Sequence, residues 1–233
     1  MGLIIDPYRF TQVFSPDQIS NLYSWHDASV LADITKDGSN RVSQWNDKSG
    51  NAKHFTSSGG NMPLWISASQ NGKNVIDTVD SRYMTYTMTT QSQPITICMA
   101  MQLPTDANGF CMTIRCGTTA YAYYSHTATA DQFAIASTTS QSFTEVGLDG
   151  NWKNSTIVFN GASSVLYINN VSKIAANTGT QGFNTDPFWL GVNADNYNLF
   201  SNTKYGEIIV YAKELNATER GQINTYFINK WGL

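Results

Sequence analysis

The sequence predicts an all-β protein, two antiparallel sheets stacked as a sandwich, with short helices near the N-terminus and at the C-terminus. Three observations predict it. Runs of β-branched and aromatic residues are short and bounded by Gly, Asn, Ser and Pro, as in a sandwich rather than in alternating βαβ units. Helix-start signals occur near the two ends of the chain. Charged residues make up 13% of the chain, against about 25% in an average soluble protein, and Thr, Ser, Asn and Gln fill the difference, which suits polar, uncharged sheet faces. The 233 residues fit one domain, since sandwiches of roughly 200–250 residues commonly form a single unit.

Residues 1–14 come first, an apolar segment in which Leu3, Ile4, Ile5, Tyr8, Phe10, Val13 and Phe14 are too irregularly spaced for a helix and are interrupted by Pro7. Exposed apolar chain needs cover, so this is either an edge strand or an arm that packs on a neighbouring subunit. Residues 15–233 form the sandwich. Ser15, Pro16 and Gln18 predict a capping box with proline at the first helical position, and Phe14 and Ile19 are placed for a hydrophobic staple.

Met84, Tyr86 and Met88 alternate with Thr85, Thr87 and Thr89, a period of two that marks a strand with one apolar and one hydroxylated face. Ile95 to Met101 is apolar or small on both sides, the pattern of a central strand covered by a second sheet or a bent hairpin. Further strands are expected at Cys111 to Arg115, Tyr121 to Tyr124, Gln132 to Ala136 and Phe188 to Val192. Ser155 to Phe159 and Val165 to Ile168 flank Asn160-Gly161 and read as a hairpin, after which Asn169-Asn170 can turn the chain again.

The closing stretch is the clearest. Ile208 to Tyr211 is a strand, Asn216 caps the helix that follows, and Glu219 completes a capping box. Ile223, Phe227 and Trp231 form one apolar stripe flanked by Tyr226 and Lys230, with Arg220 and Asn224 expected to face water.

Trp25-His26-Asp27-Ala28-Ser29, the turn Trp45-Asn46-Asp47-Lys48-Ser49-Gly50-Asn51, Asn71-Gly72-Lys73 and the strand and helix of residues 206–233 follow one another in that order. The order resembles the concanavalin A-like lectin/glucanase group, in the LamG-like jelly-roll form common in bacteriophage virion proteins and bacterial surface proteins. The C-terminal stretch and the Trp45-to-Asn51 turn carry the resemblance, and the middle third matches in pattern. It implies a jelly roll and a non-enzymatic virion protein, a capsid decoration or a tail or fibre module that adheres to other virion proteins as lattice-bound copies or a homo-oligomer. The alternative it implies is a lectin-like module for host surface polysaccharide. Such a fold does not fix function, because lectins, glycanases and structural modules share it.

Composition excludes several partners. A net charge of -3 offers no basic footprint for nucleic acid or an anionic membrane. The longest apolar run is far too short to span a bilayer, and the N-terminus lacks a signal-peptide pattern, so folding in the cytoplasm where the chain is made is expected; localisation to the virion is what the resemblance implies. Cys98, Cys111 and Cys116 match no four-ligand zinc spacing and read as buried thiols. The acceptor patterns at Asn154, Asn170 and Asn216 read as coincidence in an Asn- and Thr-rich chain.

A glycanase needs two carboxylates about 5–5.5 Å apart for retention or about 6.5–9.5 Å for inversion. The Glu-x-Asp-x-x-Glu motif of laminarinase-type members is absent, and Glu145 and Asp149 fall in a turn-like stretch with Gly147 and Gly150. No catalytic residue is expected. His26, His54 and His126 are scattered and assemble no triad or metal site. The resemblance allows a calcium ion with Asp186, Asp195 and Asn196 as ligands, but no EF-hand order supports it and no cofactor is expected. Trp25, Trp45, Asp27 and Asp47 suggest a sugar site at first, yet they read better as core tryptophans and tight-turn chemistry.

The best binding surface is Tyr121, Tyr123 and Tyr124 with His126, joined by Asn193, Asn196, Tyr197 and Asn198 from a loop, as a sugar-stacking platform with hydrogen-bonding groups. Period two puts Tyr121 and Tyr123 on one face and Tyr124 on the other, so part of the set belongs to the core. Sandwich packing is the competing reading for all of them.

Overall fold

The computed structural model describes residues 13–103, 109–116, 121–126, 131–136, 141–143, 150–193 and 199–233. In chain order the strands are β1 Leu22–Asp27, β2 Ile34–Lys36, β3 Val42–Trp45, β4 Phe55–Thr56, β5 Leu64–Gln70 and β6 Lys73–Asp77. Next come β7 Met84–Thr87, β8 Ile95–Gln102, β9 Gly109–Arg115, β10 Tyr121–His126, β11 Asp131–Ala136 and β12 Gln141–Phe143. β13 Trp152–Phe159, β14 Ser164–Ile168, β15 Val171–Ala176, β16 Pro187–Leu190 and β17 Lys204–Tyr211 complete the strands, and α1 Ala217–Trp231 closes the chain.

The described strands form two antiparallel sheets packed as a sandwich. One has eight strands in the order β15-β14-β13-β8-β17-β6-β5, with β1 also paired to β17. The other has nine, in the order β12-β11-β10-β9-β16-β7-β4-β3-β2. Alternation places Met84, Tyr86, Met112, Ile114, Ala122, Tyr124, Phe188 and Leu190 of the second sheet against Ile95, Ile97, Met99, Met101, Ile157 and Phe159 of the first. The Asn160-Gly161 hairpin forms between β13 and β14. Asn169 and Asn170 then turn the chain with φ of 50° and 62°, the left-handed geometry that a tight hairpin demands and asparagine tolerates.

β8 is buried along its length, and its two faces meet different partners. Its odd-numbered apolar residues enter the inter-sheet core, whereas Cys98 and Ala100 meet Ile223, Phe227 and Trp231 of α1. The second cover is therefore the C-terminal helix rather than a hairpin. The capping box is present: Asn216 Oδ1 accepts from Glu219 N at 3.0 Å and Glu219 Oε2 accepts from Asn216 N at 3.0 Å. At the other end Gly232, at φ 69°, makes the left-handed C-cap. Gln70 Nε2 and Asn71 Nδ2, from the β5–β6 turn, donate to the carbonyls of Trp231 and Lys230 at 2.7 and 3.1 Å. Thus Asn71-Gly72-Lys73 helps to cap the helix C-terminus.

Two expectations change. The N-terminal helix is a single 3-10 turn, Pro16–Gln18, and the Ser15 side chain makes no cap bond. A turn this short satisfies its donors through the backbone, with Gln18 N on Ser15 O at 3.0 Å, before the chain enters β1. Arg220 and Asn224 do not simply face water: Arg220 lies 4.3 Å from the Tyr167 ring centroid and donates to Leu215 O, and Asn224 accepts from the buried Asn154. Of the apolar N-terminal segment, Val13 and Phe14 are described, while Leu3, Ile4, Ile5, Tyr8 and Phe10 lie outside the described residues. Among the described residues no helix is long and apolar enough to cross a membrane.

Candidate functional site

The outer face of the nine-stranded sheet carries a cross-strand row. Because Met84, Tyr86, Phe188, Leu190, Met112, Ile114, Ala122 and Tyr124 point inward, Thr85, Trp189, Thr113, Tyr121 and Tyr123 point outward. Register aligns Thr56 with Thr85, Thr85 with Trp189, Trp189 with Thr113 and Thr113 with Tyr123. Four strand spacings make this row about 19 Å long. Trp189 is nearly covered and forms a floor with Val192, while Tyr83, Tyr121 and Phe200 pack around it half-buried. Arg115 stands 5.9 Å from the Tyr121 ring centroid, and Phe110 meets Tyr123 edge-on at 5.3 Å.

Beside this cluster lies a depression of about 260 Å³ lined by Thr56, Ser57, Ser58, Asn61, Tyr83 and Thr85. Tyr83 belongs to both the depression and the cluster. Asn61 Nδ2 donates to Tyr83 Oη at 3.2 Å, and Thr56 Oγ1 donates to the Thr85 carbonyl at 3.3 Å. The hydroxyls of Ser57 and Thr85 have no hydrogen-bond partner among the described residues. Aromatic rings flanked by hydroxyl and amide groups match the two sides of a sugar ring, its C–H face and its hydroxyl edge.

The tyrosines expected to form a platform separate by face. Tyr121 and Tyr123 are on the outer surface, whereas Tyr124 is buried in the inter-sheet core and His126 is 1% exposed, its Nε2 2.9 Å from Ser201 Oγ. Tyr124 and His126 therefore lie inside the sandwich rather than on the outer face. Asn196, Tyr197, Asn198 and Asp195 lie outside the described residues, but their flanks, Val192 and Phe200, form a bridge beside Trp189. Glu145 and Asp149 also lie outside the described residues. Sequence reasoning missed Tyr83, Asn61 and Trp189. The hydroxylated face of Met84–Met88 was a signal for Thr85, but Phe188-Trp189-Leu190 is apolar throughout and hides which way Trp189 points.

The strongest charged cluster is elsewhere, beneath α1. Glu207 accepts from Trp25 Nε1 at 2.6 Å, Tyr226 Oη at 2.8 Å, Lys230 Nζ at 2.7 Å and Trp231 Nε1 at 2.9 Å. Opposite it on β1, Asp27 accepts from Lys230 and Lys48 at 2.7 and 2.9 Å and from Ser29 Oγ at 2.6 Å. Burial pushes the Glu207 carboxyl above its usual range, Lys230 opposes this, and Asp27 adds to it. Burial pushes Asp27 up as well, but Lys230, Ser29 and Lys48 outweigh it and hold the group below its usual range. With all four carboxylate oxygens hydrogen-bonded, the cluster is a structural lock between sheet and helix.

The Trp45-to-Asn51 turn is likewise structural. Asp47 accepts from Trp25 N, Ser49 N, Lys53 N and Ser49 Oγ at 2.8–3.0 Å. Lys48 N bonds Trp25 O, and Asn51 Nδ2 bonds Leu22 O and Tyr23 O, so the turn covers the outer edge of β1 where another strand would pair. Burial raises the Asp47 carboxyl, and the N–H donors of Lys53, Trp25 and Ser49 outweigh it, leaving its pKa lowered. Trp45 is fully buried and Trp25 is 8% exposed. Among the described residues no group of three His, Cys, Asp or Glu side chains is placed to hold a metal ion.

No protein-family model matches the chain, and no curated protein matches it. Solved structures do. A sialidase from Trypanosoma rangeli, in complex with the inhibitor DANA, aligns with TM-score 0.64 at 10% identity over 87% of this chain and 32% of its own. The binding domain of Paraclostridial Mosquitocidal Protein 1 aligns with TM-score 0.67 at 12% identity, over 92% of this chain and 54% of its own. The botulinum neurotoxin serotype D ligand-binding domain, in complex with N-acetylneuraminic acid, aligns with TM-score 0.64 at 12% identity, over 93% of this chain and 54% of its own. The chain thus spans about a third to a half of these structures, and the likeness is one of fold: a β-sandwich of the kind that sialidases and toxin binding domains contain.

Proposed function

We propose that the protein is a carbohydrate-binding sandwich that acts by contact, holding an oligosaccharide on the outer face of its nine-stranded sheet. The observation that carries this reading is the Trp189 floor with Tyr83 and Tyr121 packed around it and Tyr123 at the end of the cross-strand row, next to a depression lined by Thr, Ser, Asn and Tyr83. Rings stack on the apolar faces of sugars, and the hydroxyl and amide groups select among their hydroxyls. The 19 Å row suits a chain of sugars rather than one ring. Two of the similar structures are binding domains, one of them in complex with a sialic acid, which supports the same reading. This reading involves no bond breaking, and the buried carboxylates Asp27 and Glu207 are committed to the helix lock. A bacteriophage particle, the setting implied by the sequence resemblance, would present many copies and turn weak single contacts into avidity.

Screening the purified chain against an array of surface polysaccharide fragments, followed by calorimetric titration, tests the proposal. Tyr83→Ala and Tyr121→Ala should each weaken binding by roughly two- to tenfold, the worth of one aromatic contact, with unchanged circular dichroism. Unchanged affinity in both variants, or no binding across the array with or without calcium, overturns it. Release of reducing ends that stops in Glu145→Gln or Asp149→Asn would replace it with a glycanase.

A further inference from the structure

A second recess, of about 540 Å³, lies on the rim of the sandwich and shares no residue with the Trp189 cluster or the depression beside it. It is lined by Asn21 and Tyr23 where β1 begins, by Asn51 and Lys53 from the segment that covers that strand, and by Thr89 and Gln91 between β7 and β8. We infer that this recess binds an acidic sugar, with the sugar's single negative group on Lys53 Nζ and its hydroxyls on the surrounding amides. Lys53 is the only charged side chain in the lining. Its Nζ stands 5.5 Å from the Tyr23 ring centroid and makes no hydrogen bond or ion pair among the described residues. A ring face orients an ammonium group but uses none of its N–H donors. Other lysines are committed: Lys48 and Lys230 pair with Asp27, Lys213 pairs with Glu219, and Lys36 donates to Asn40.

The walls of the recess are held by the protein's own bonds. Thr89 N donates to Tyr23 Oη at 2.7 Å, and that hydroxyl lies 3.0 Å from Thr89 Oγ1. Gln91 exchanges both main-chain hydrogen bonds with Phe183, each at 2.7 Å. Asn51 Nδ2 is spent on the carbonyls of Leu22 and Tyr23 at 3.1 Å, which leaves its Oδ1 to accept from a hydroxyl. The main chain of Lys53 is fixed as well: its N donates to Asp47 Oδ2 at 3.0 Å and its carbonyl accepts from His26 Nε2 at 2.8 Å. Only the end of the Lys53 side chain lacks a polar partner. The recess falls within the range of about 300–1,000 Å³ that small-molecule sites occupy. One ammonium balances one negative charge, a carboxylate or a sulfate ester, whereas a phosphate group carries about −1.5 to −2 and a nucleic-acid strand would call for a row of cations. A neutral ligand would displace water from Lys53 without compensating its charge.

Calorimetric titration of the full chain at low salt tests this. The probes are sialyllactose, a galacturonate tetramer and a carrageenan oligosaccharide, each beside its neutral counterpart: lactose, the methyl-esterified tetramer and the desulfated oligosaccharide. At least one acidic probe should bind about tenfold or more tighter than its counterpart, and the advantage should shrink as salt is raised. Lys53→Met, which preserves the main-chain bonds to Asp47 and His26, should abolish that advantage. Lys53→Arg should retain it, and Lys36→Met, which removes a lysine outside the recess, should leave it unchanged. Whether the carboxylated or the sulfated probe gains more identifies the acid group. No advantage for any acidic probe overturns the inference, and so does an advantage that survives Lys53→Met. Affinity for the neutral counterparts reports the tyrosine row separately, so either site can fail without the other.

Discussion

His26 stacks on Tyr86 with ring centroids 5.7 Å apart, stands edge-on to Trp45 and tilts against Phe55. Its Nε2 donates to the Lys53 carbonyl at 2.8 Å, and its Nδ1 has no partner among the described residues. A second proton would place an unsatisfied charged N–H inside an aromatic box. Burial accordingly lowers the pKa from 6.5 to about 4. In the unfolded chain the ring takes up its proton near pH 6.5, so between about 6.5 and 4 the unfolded form binds more protons than the folded one. Stability is therefore complete above that window and declines as the pH falls through it, by about 3 kcal/mol at most. Urea midpoints measured at several pH values should trace this decline, and His26→Gln, which keeps a donor for Lys53 O, should flatten it. Asp27 and Asp47 have lowered pKa values, so their loss adds below the unfolded carboxylate value of about 3.9, while Glu207, which is raised, runs in the opposite sense.

Between Tyr205 and Glu207 the register of β17 on β8 slips by one residue, so Gly206 bulges and both Gly206 and Glu207 turn toward α1. Glu207 thereby reaches its cluster of donors, and Gly206 leaves room for Trp231, whose ring carbons lie 2.9 Å from where a Cβ would stand. Gly206→Ala should cost about 1–3 kcal/mol, as overpacking does against a ring that cannot withdraw, read from thermal or denaturant melts. The strand, the capping box and the Ile223, Phe227 and Trp231 stripe were legible because their signals are local, within a few residues of one another. The bulge was not: Gly-Glu before an apolar run reads equally well as an ordinary strand start. Nor could the two-sided burial of Ile95 to Met101 say that a helix, rather than a sheet or hairpin, lies on its second face. Ser15 failed as a cap because the motif has the right residues and too few turns behind it.

At the scale of the molecule, Cys98, Cys111 and Cys116 report the integrity of both packed layers. Burial raises Cys98 and Cys116 to about 12, Cys98 beneath α1 and Cys116 between the sheets. The native protein should show no fast-reacting thiol with Ellman's reagent, and all three cysteines should titrate once it is denatured; one rapid thiol in the native state would mean that a layer is open. The sandwich was readable because two-residue alternation and turn residues recur through the chain. The candidate site was readable only in part, since Tyr121 and Tyr123 declare their face by periodicity, but Asn61, Tyr83 and Trp189 meet through strand order, which no local pattern encodes. With α1 lying over the outer face of the eight-stranded sheet and the Trp189 cluster on the outer face of the nine-stranded one, the two broad sides of the sandwich are unlike. If the proposed glycan contact is made, it is made from one side only, so a copy tethered to a support through its nine-stranded face should lose it and a copy tethered through its helix face should keep it.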